Sequence, residues 1–361
     1  MKTEWIHKKL GDCCESELGK TLDEGRNTGL YRPYLCALNV LWGKIDISII
    51  KQMRIEDSEL ERYLVKKGDL LVCEGGEIGR CAIWENDDEI YYQNALHRVR
   101  FYKEYDAYFF MYLLCHYNDL KLIEQYGKGL TIKHLNQTAF RSIPVCVPDL
   151  SAQHRIAAIL SSADKVIAAT QKTIAKYKQI KQGMMEELLK PKEGWKMVRL
   201  GEVYNFQYGD GNKNPNNNGD YPIYGANGII GGYTKFNAVD SVVIGHMGEY
   251  AGSVIWANGK HFVTYNGTIT TVKDNDSLYD RFGFFVLLNL DIKKICAGSG
   301  QPFLSYDTLN KIGISVPDLA EQHRIAAILS GIDAKIAAEE KVLEKYEKVK
   351  KGLMEKLLIE K

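Results

Sequence analysis

Residues 148–189 begin Pro148-Asp149-Leu150-Ser151-Ala152-Gln153-His154-Arg155, and residues 317–358 begin Pro317-Asp318-Leu319-Ala320-Glu321-Gln322-His323-Arg324. Aligned without gaps at a constant offset of 169, the two segments agree at 25 of 42 positions. Such agreement requires an internal duplication, so the chain must fold as two versions of one unit. A weaker repeat precedes each copy. Trp5–Gly11 (WIHKKLG) matches Trp195–Gly201 (WKMVRLG), and Gly76-Glu77 with Ile83-Trp84 matches Gly248-Glu249 with Ile255-Trp256. Asn94 falls on Asn266, and Gly127-Lys-Gly129 faces Gly298-Ser-Gly300. The 361 residues therefore read as globule, long helix, globule, long helix, with segments 1–149, 150–190, 191–318 and 319–361. Lys190-Pro-Lys-Glu-Gly194 is a short linker whose proline and glycine stop the first helix.

Neither long segment contains an interior proline, and apolar residues recur along each with a heptad spacing. One seam of the first helix is Ile156, Ala163, Thr170, Tyr177 and Met184; the other is Leu160, Ile167, Ile174, Lys181 and Leu188. The second helix repeats them as Ile325, Ile332, Glu339, Tyr346 and Leu353, with Leu329, Ile336, Leu343, Lys350 and Leu357. Matched seams of equal length predict that the helices pair with each other. A 40-residue helix is about 60 Å long, whereas the globule between them should have a radius of gyration near 14 Å. A globule of that size joins the end of one helix to the start of the next only if the two run antiparallel. The expected fold is two copies of a mixed α/β (α+β) globular domain separated by two long antiparallel coiled-coil helices, with pseudo-two-fold symmetry. The seam lysines Lys181 and Lys350 either fix register or snorkel to the edge of the pair.

Composition narrows the function classes. With 47 basic against 46 acidic side chains, the net charge of +1 gives no electrostatic sign of a nucleic-acid or membrane partner. No apolar run reaches the ~20 residues of a membrane span, and the start lacks a signal-peptide core, so a cytoplasmic location is expected. Seven of eight cysteines precede residue 147 and none forms a Cys-x-x-Cys pair. Free thiols are therefore expected rather than disulfides or a metal site. No Asn/Asp-Pro-Pro-Tyr string and no phosphate-loop string occurs. His154 and His323 have no ligand partner at helical spacing and read as residues that cap or pack the helix starts. No catalytic residue and no metal site is predicted.

Two variable globules alternating with two near-identical helices that carry Gln-His-Arg-Ile-Ala-Ala-Ile-Leu resemble the DNA-specificity (S) subunit of a Type I restriction–modification enzyme. Tyr221-Pro-Ile-Tyr-Gly-Ala-Asn-Gly-Ile-Ile-Gly231 is similar to a segment that recurs in the recognition domains of that family. The resemblance implies target recognition domains at 1–149 and 191–318, and conserved helices at 150–190 and 319–361. It implies double-stranded DNA with a bipartite site as ligand, and two modification (methyltransferase) subunits and restriction subunits as partners. It further implies a non-catalytic role, with S-adenosylmethionine, ATP and Mg2+ acting only on those partners. The alternative from the residues alone is a coiled-coil protein-interaction scaffold without DNA specificity; a weaker one is a nuclease acting by itself.

Segment charges of −3, +4, −1 and +1 leave both globules near neutral. That balance favours base-edge readout over phosphate attraction. Polar residues near glycine-rich loops are the DNA-binding candidates: Arg80, Lys128, Thr131 and Lys133 in the first globule, and Lys213, Asn227, Lys235, His246 and Gln301 in the second. Tyr224 and Tyr233 are candidates to pack on sugars. Asn227 alternatively supports its turn, and His246 alternatively is a satisfied core residue.

Overall fold

The computed structural model describes residues 5–23, 25–129, 133–211, 214–296 and 302–359. The chain divides into two compact units, Met1–Thr170 with Val342–Lys361, and Gln171–Lys341. Four helices matter most: α1 (Ala107–Asp119), α2 (Leu150–Leu188), α3 (Asp280–Asn289) and α4 (Leu319–Leu357). Each unit thus owns one globule, one of the helices α1 and α3, and a portion of both long helices.

The globules are mixed α/β. In the first unit, strands Cys14–Leu18, Leu96–Phe101, Leu70–Cys73 and Cys81–Ile83 form an antiparallel sheet in that order. A second sheet orders Lys51–Ile55, Leu30–Leu35, Ile90–Tyr92 and Leu64–Val65. In the second unit a single six-stranded sheet orders Tyr204–Tyr208, Gly267–Val272, Ala238–Gly245, Val254–Val263, Tyr221–Gly225 and Gly228–Tyr233. The weak sequence repeat has a structural meaning. Ile6–Lys9 pairs antiparallel with Pro144–Val147, and Lys196–Arg199 pairs in the same way with Gly313–Val316. Trp5 then lies 6.3 Å from Phe109, as Trp195 does from Phe282, ring centroid to ring centroid. The Leu10 N–H donates to the Ile143 carbonyl at 2.8 Å, and the Leu200 N–H to the Ile312 carbonyl at 2.8 Å. The first strand of each globule is thereby tied to its last, just before the long helix begins.

The repeated Pro-Asp-Leu string starts each helix. Asp149 caps α2 by accepting from the Ala152 N–H at 2.8 Å, and Asp318 caps α4 by accepting from the Glu321 N–H at 2.9 Å. The repeated glutamine is buried and braces helix to globule. Gln153 accepts from the Asp106 N–H at 2.9 Å and donates to the Pro148 carbonyl at 2.9 Å. Gln322 accepts from the Tyr279 N–H at 2.7 Å and donates to the Pro317 carbonyl at 3.0 Å.

Within each unit the two long helices run antiparallel. In the first, Ile156, Ala157 and Leu160 of α2 share a core with Met354 and Leu358 of α4, while further along α2 Asp164 meets Lys350. In the second, Lys178 pairs with Glu340 and Lys181 with Asp333, while Met185 and Leu189 share a core with Ile325 and Leu329. Ile156, Leu160, Ile174, Ile325, Leu329 and Ile336 are buried; Ile167, Tyr177, Leu188, Leu343 and Leu357 are half-buried. Toward the helix ends the buried positions are Met185, Leu189, Met354 and Leu358, one residue past the expected Met184, Leu188, Leu353 and Leu357. An α-helix turns once per 3.6 residues, so its buried stripe drifts by about one position from a strict heptad over five repeats. Tyr346, expected in the seam, is 40% exposed.

Candidate nucleic-acid interface

Each unit carries, at one end of its globule, a cluster of loops built on one hydrogen-bonded frame. In the first unit Gly19 N–H donates to the Leu96 carbonyl and Lys20 N–H to the Tyr92 carbonyl, both at 3.1 Å. In the second, Gly209 N–H donates to the Gly267 carbonyl and Asp210 N–H to the Val263 carbonyl, both at 2.9 Å. Glu74 N–H donates to Ala95 and the Glu74 carbonyl accepts from Leu135 N–H; His246 N–H donates to Asn266 and its carbonyl accepts from Leu304 N–H. Glycine is required where the strands cross. A Cβ on Gly19 would lie 2.4 Å from the Gln93 carbonyl, and one on Gly209 would lie 2.3 Å from the carbonyl oxygens of Val263 and Thr264.

The side chains on this common frame differ. Lys20 is buried and its ammonium donates to both carboxylate oxygens of Glu59, at 2.6 and 2.7 Å. Its counterpart Asp210 instead accepts from the Asn237 amide at 3.1 Å. One carbonyl in each unit is held by a histidine, in the strand Leu96–Phe101 of the first and just past the strand Ala238–Gly245 of the second. His97 Nε2 donates to the Leu135 carbonyl at 2.7 Å, and His246 Nδ1 donates to the Leu304 carbonyl at 2.9 Å. Burial lowers the pKa of both rings, since desolvation disfavours the imidazolium.

The sequence candidates scatter over this end and beyond it. Arg80 is half-buried, donating to the Ala37 carbonyl at 2.6 Å and pairing with Glu77 at 3.4 Å, so its guanidinium tethers the loop after Leu35. Lys128 and Lys133 are exposed; the Lys133 ammonium lies 3.5 Å from Glu124. Asn227 is exposed in the two-residue turn between Tyr221–Gly225 and Gly228–Tyr233, and Lys235 is exposed beyond that hairpin. His246 is 0% exposed, so it takes the core role and cannot reach a base edge. Tyr224 is also buried, with its ring against His261 at 5.4 Å, which removes it from any sugar contact. Tyr233 is half-buried against Phe262. Thr131, Lys213 and Gln301 lie outside the described residues.

Sequence reasoning passed over Tyr208, Tyr265, Phe303 and Tyr306, which gather at the loop end of the second unit. The available signal was position: Tyr265 precedes the repeated Asn266, and Phe303 follows the Gly-x-Gly of residues 298–300.

Among the described residues no group of three or more His, Cys, Asp or Glu side chains could hold a metal ion. Cys13, Cys14, Cys36, Cys73, Cys81, Cys115 and Cys296 are free thiols; burial pushes Cys14 up to about 12. His154 approaches Asp106 at 3.4 Å and His323 packs on Tyr279 at 4.0 Å, each at the foot of its helix. No described helix is long and apolar enough to cross a membrane.

The chain superposes on the crystal structure of a Type-I restriction-modification S subunit from M. genitalium with a TM-score of 0.71, at 20% identity and covering 99% of this chain and 97% of that one. The fold is therefore that of the S subunits. In sequence it is 27% identical over 299 residues to the Type I restriction enzyme MjaVIII specificity subunit of Methanocaldococcus jannaschii, covering 66% of this chain and 68% of the relative. A shorter match, 30% identical over 115 residues, joins it to the Type I restriction enzyme EcoprrI specificity subunit of Escherichia coli, covering 31% of this chain and 28% of the relative. The family model described as the Type I restriction modification DNA specificity domain matches residues 2–180 and again 192–348, and the chain belongs to that family.

Proposed function

We propose that this chain is the cytoplasmic DNA-reading and assembly subunit of a Type I restriction–modification enzyme, and that each unit reads one half of a bipartite duplex target. The observation that carries this reading is the pair of loop ends: one frame built twice, with Lys20 against Asp210 and Glu74 against His246 at equivalent positions. A common frame with unlike side chains suits a target whose two halves differ in sequence.

The helices also carry the proposed recruitment surface. Ile159 and Val166, one heptad apart on α2, are 44% and 40% exposed. On α4 of the same unit, Val342, Tyr346 and Val349 are exposed at 38%, 40% and 55%. Apolar residues at helical spacing, uncovered in the isolated chain, fit partner helices from two modification subunits, with restriction subunits joining for cleavage. S-adenosylmethionine, ATP and Mg2+ would then serve the partner subunits, and this chain would supply the address rather than the chemistry.

Methylation-site sequencing in cells carrying this gene and its modification subunit tests the reading. The expected result is a target of two specified halves separated by a fixed, unread spacer. Methylation at a single contiguous site, or without sequence preference, would overturn it.

A further inference from the structure

At the loop end of the second unit, aromatic rings surround one buried imidazole. The His246 ring lies 3.9 Å from Tyr208, 4.8 Å from Phe303 and 5.4 Å from Tyr265, centroid to centroid. Tyr306 stacks on Tyr208 at 4.0 Å, and its hydroxyl accepts the Tyr208 N–H. His246 is held from below by the Leu304 carbonyl, and its buried Nε2 has no hydrogen-bond partner among the described residues. The stack is therefore fixed, and from it Tyr265 and Phe303 project 37% and 38% exposed.

Those two rings do not belong to the common frame. The frame places Ala95, not Asn94, opposite Asn266, one residue from the sequence match, so the positions equivalent to Tyr265 and Phe303 are Asn94 and His134, both polar. What differs between two copies of one frame is where their readings should differ. Residues 191–318 also sum to a charge of −1, so the unit as a whole offers no net attraction to phosphate. Base–aromatic stacking needs no charge, because every base presents a π face to a ring.

We propose that Tyr265 and Phe303 are the aromatic contact through which the second unit engages its half of the DNA target, laying their rings against bases at an opened or kinked step. This rests on the DNA-reading role proposed above. Tyr208, His246 and Tyr306 act as positioning residues that hold the pair in place.

The test uses the full chain assembled with its modification subunit, a duplex carrying the target read from the methylation map, and an unrelated duplex. Tyr265→Ala and Phe303→Ala should each weaken binding to the target about tenfold or more. The slope of log affinity against log salt should not change, because neither ring carries charge. Tyr265→Phe and Phe303→Tyr should stay within about twofold of wild type, since the stacking faces remain. Phe303→Leu keeps apolar cover over His246, so it should lose target affinity at an unchanged melting temperature. Both alanine variants binding the target within about twofold of a discriminating wild type would overturn the inference and leave the DNA-reading role standing. A wild-type complex that does not discriminate the two duplexes would overturn the DNA-reading role itself.

Discussion

Lys350 reaches from α4 to Asp164 on α2 at 2.5 Å, and its repeat twin Lys181 reaches from α2 to Asp333 on α4 at 2.6 Å. Both lysines also lie 5.5 Å over an aromatic ring, Tyr112 for Lys350 and Phe285 for Lys181. One ion pair therefore appears twice, once in each unit, and ties register between the helices. Because the partners are 18–38% exposed, solvent screens much of the attraction. A double-mutant cycle of Lys350→Met with Asp164→Leu should give a coupling of about 1 kcal/mol in urea unfolding. Additive single effects would show that the pair contributes nothing to stability.

Gln153 and Gln322 should matter more than either ion pair. Each is 1% exposed and satisfies a backbone N–H and a carbonyl where helix meets globule. Gln153→Leu keeps the volume but strands the Asp106 N–H and the Pro148 carbonyl, at a cost of about 2–4 kcal/mol. For a unit of this size that corresponds to a fall in melting temperature of roughly 5–15 °C. Gln322→Leu should do the same in the other unit. An unchanged melting curve for both variants would refute the bracing role.

Four buried histidines set a pH dependence. His97, His116, His246 and His261 all have pKa values lowered from 6.5, desolvation being the largest cause for each. The unfolded chain therefore binds more protons than the folded one as pH falls below about 6.5. The stability from their neutral burial is complete above that pH and is lost as pH falls through the lowered folded values. Melting temperature should decline between pH 7 and pH 5 before the exposed carboxylates titrate. His97→Asn should flatten the decline in the first unit, and a wild-type profile flat over that range would contradict the account.

The repeat made much of the fold legible, because duplication is visible in identity and a heptad is visible in spacing. Trp5 and Trp195 recur because each packs on the first buried phenylalanine of a short helix, and Gln153 and Gln322 because each braces a helix foot. The antiparallel course of the helices followed from chain length and globule size alone. The interface was far less legible. No motif marks Lys20, which is spent on Glu59; His246 reads either as a loop candidate or as a core residue, and it is core. Tyr265 and Phe303 are marked only by their place beside repeated residues, since their exposure depends on loops brought together from four distant segments. Loop side chains are placed by tertiary contacts that no local periodicity encodes.

Two of the basic candidates, Lys235 and Arg80, should therefore separate in their effect on DNA binding. Lys235 is exposed beyond the hairpin that carries Asn227, where an ammonium is free to meet a phosphate. Lys235→Ala should weaken binding to target and unrelated duplexes alike, and lower the salt slope by about one. Arg80 is engaged by the Ala37 carbonyl and Glu77. Arg80→Ala strands that carbonyl, so it should lower the melting temperature of the first unit while the salt slope stays at the wild-type value. Titrating both variants of the assembled complex against duplex DNA over a series of salt concentrations checks the assignment. A reduced slope for Arg80→Ala at an unchanged melting temperature would return that guanidinium to the DNA surface.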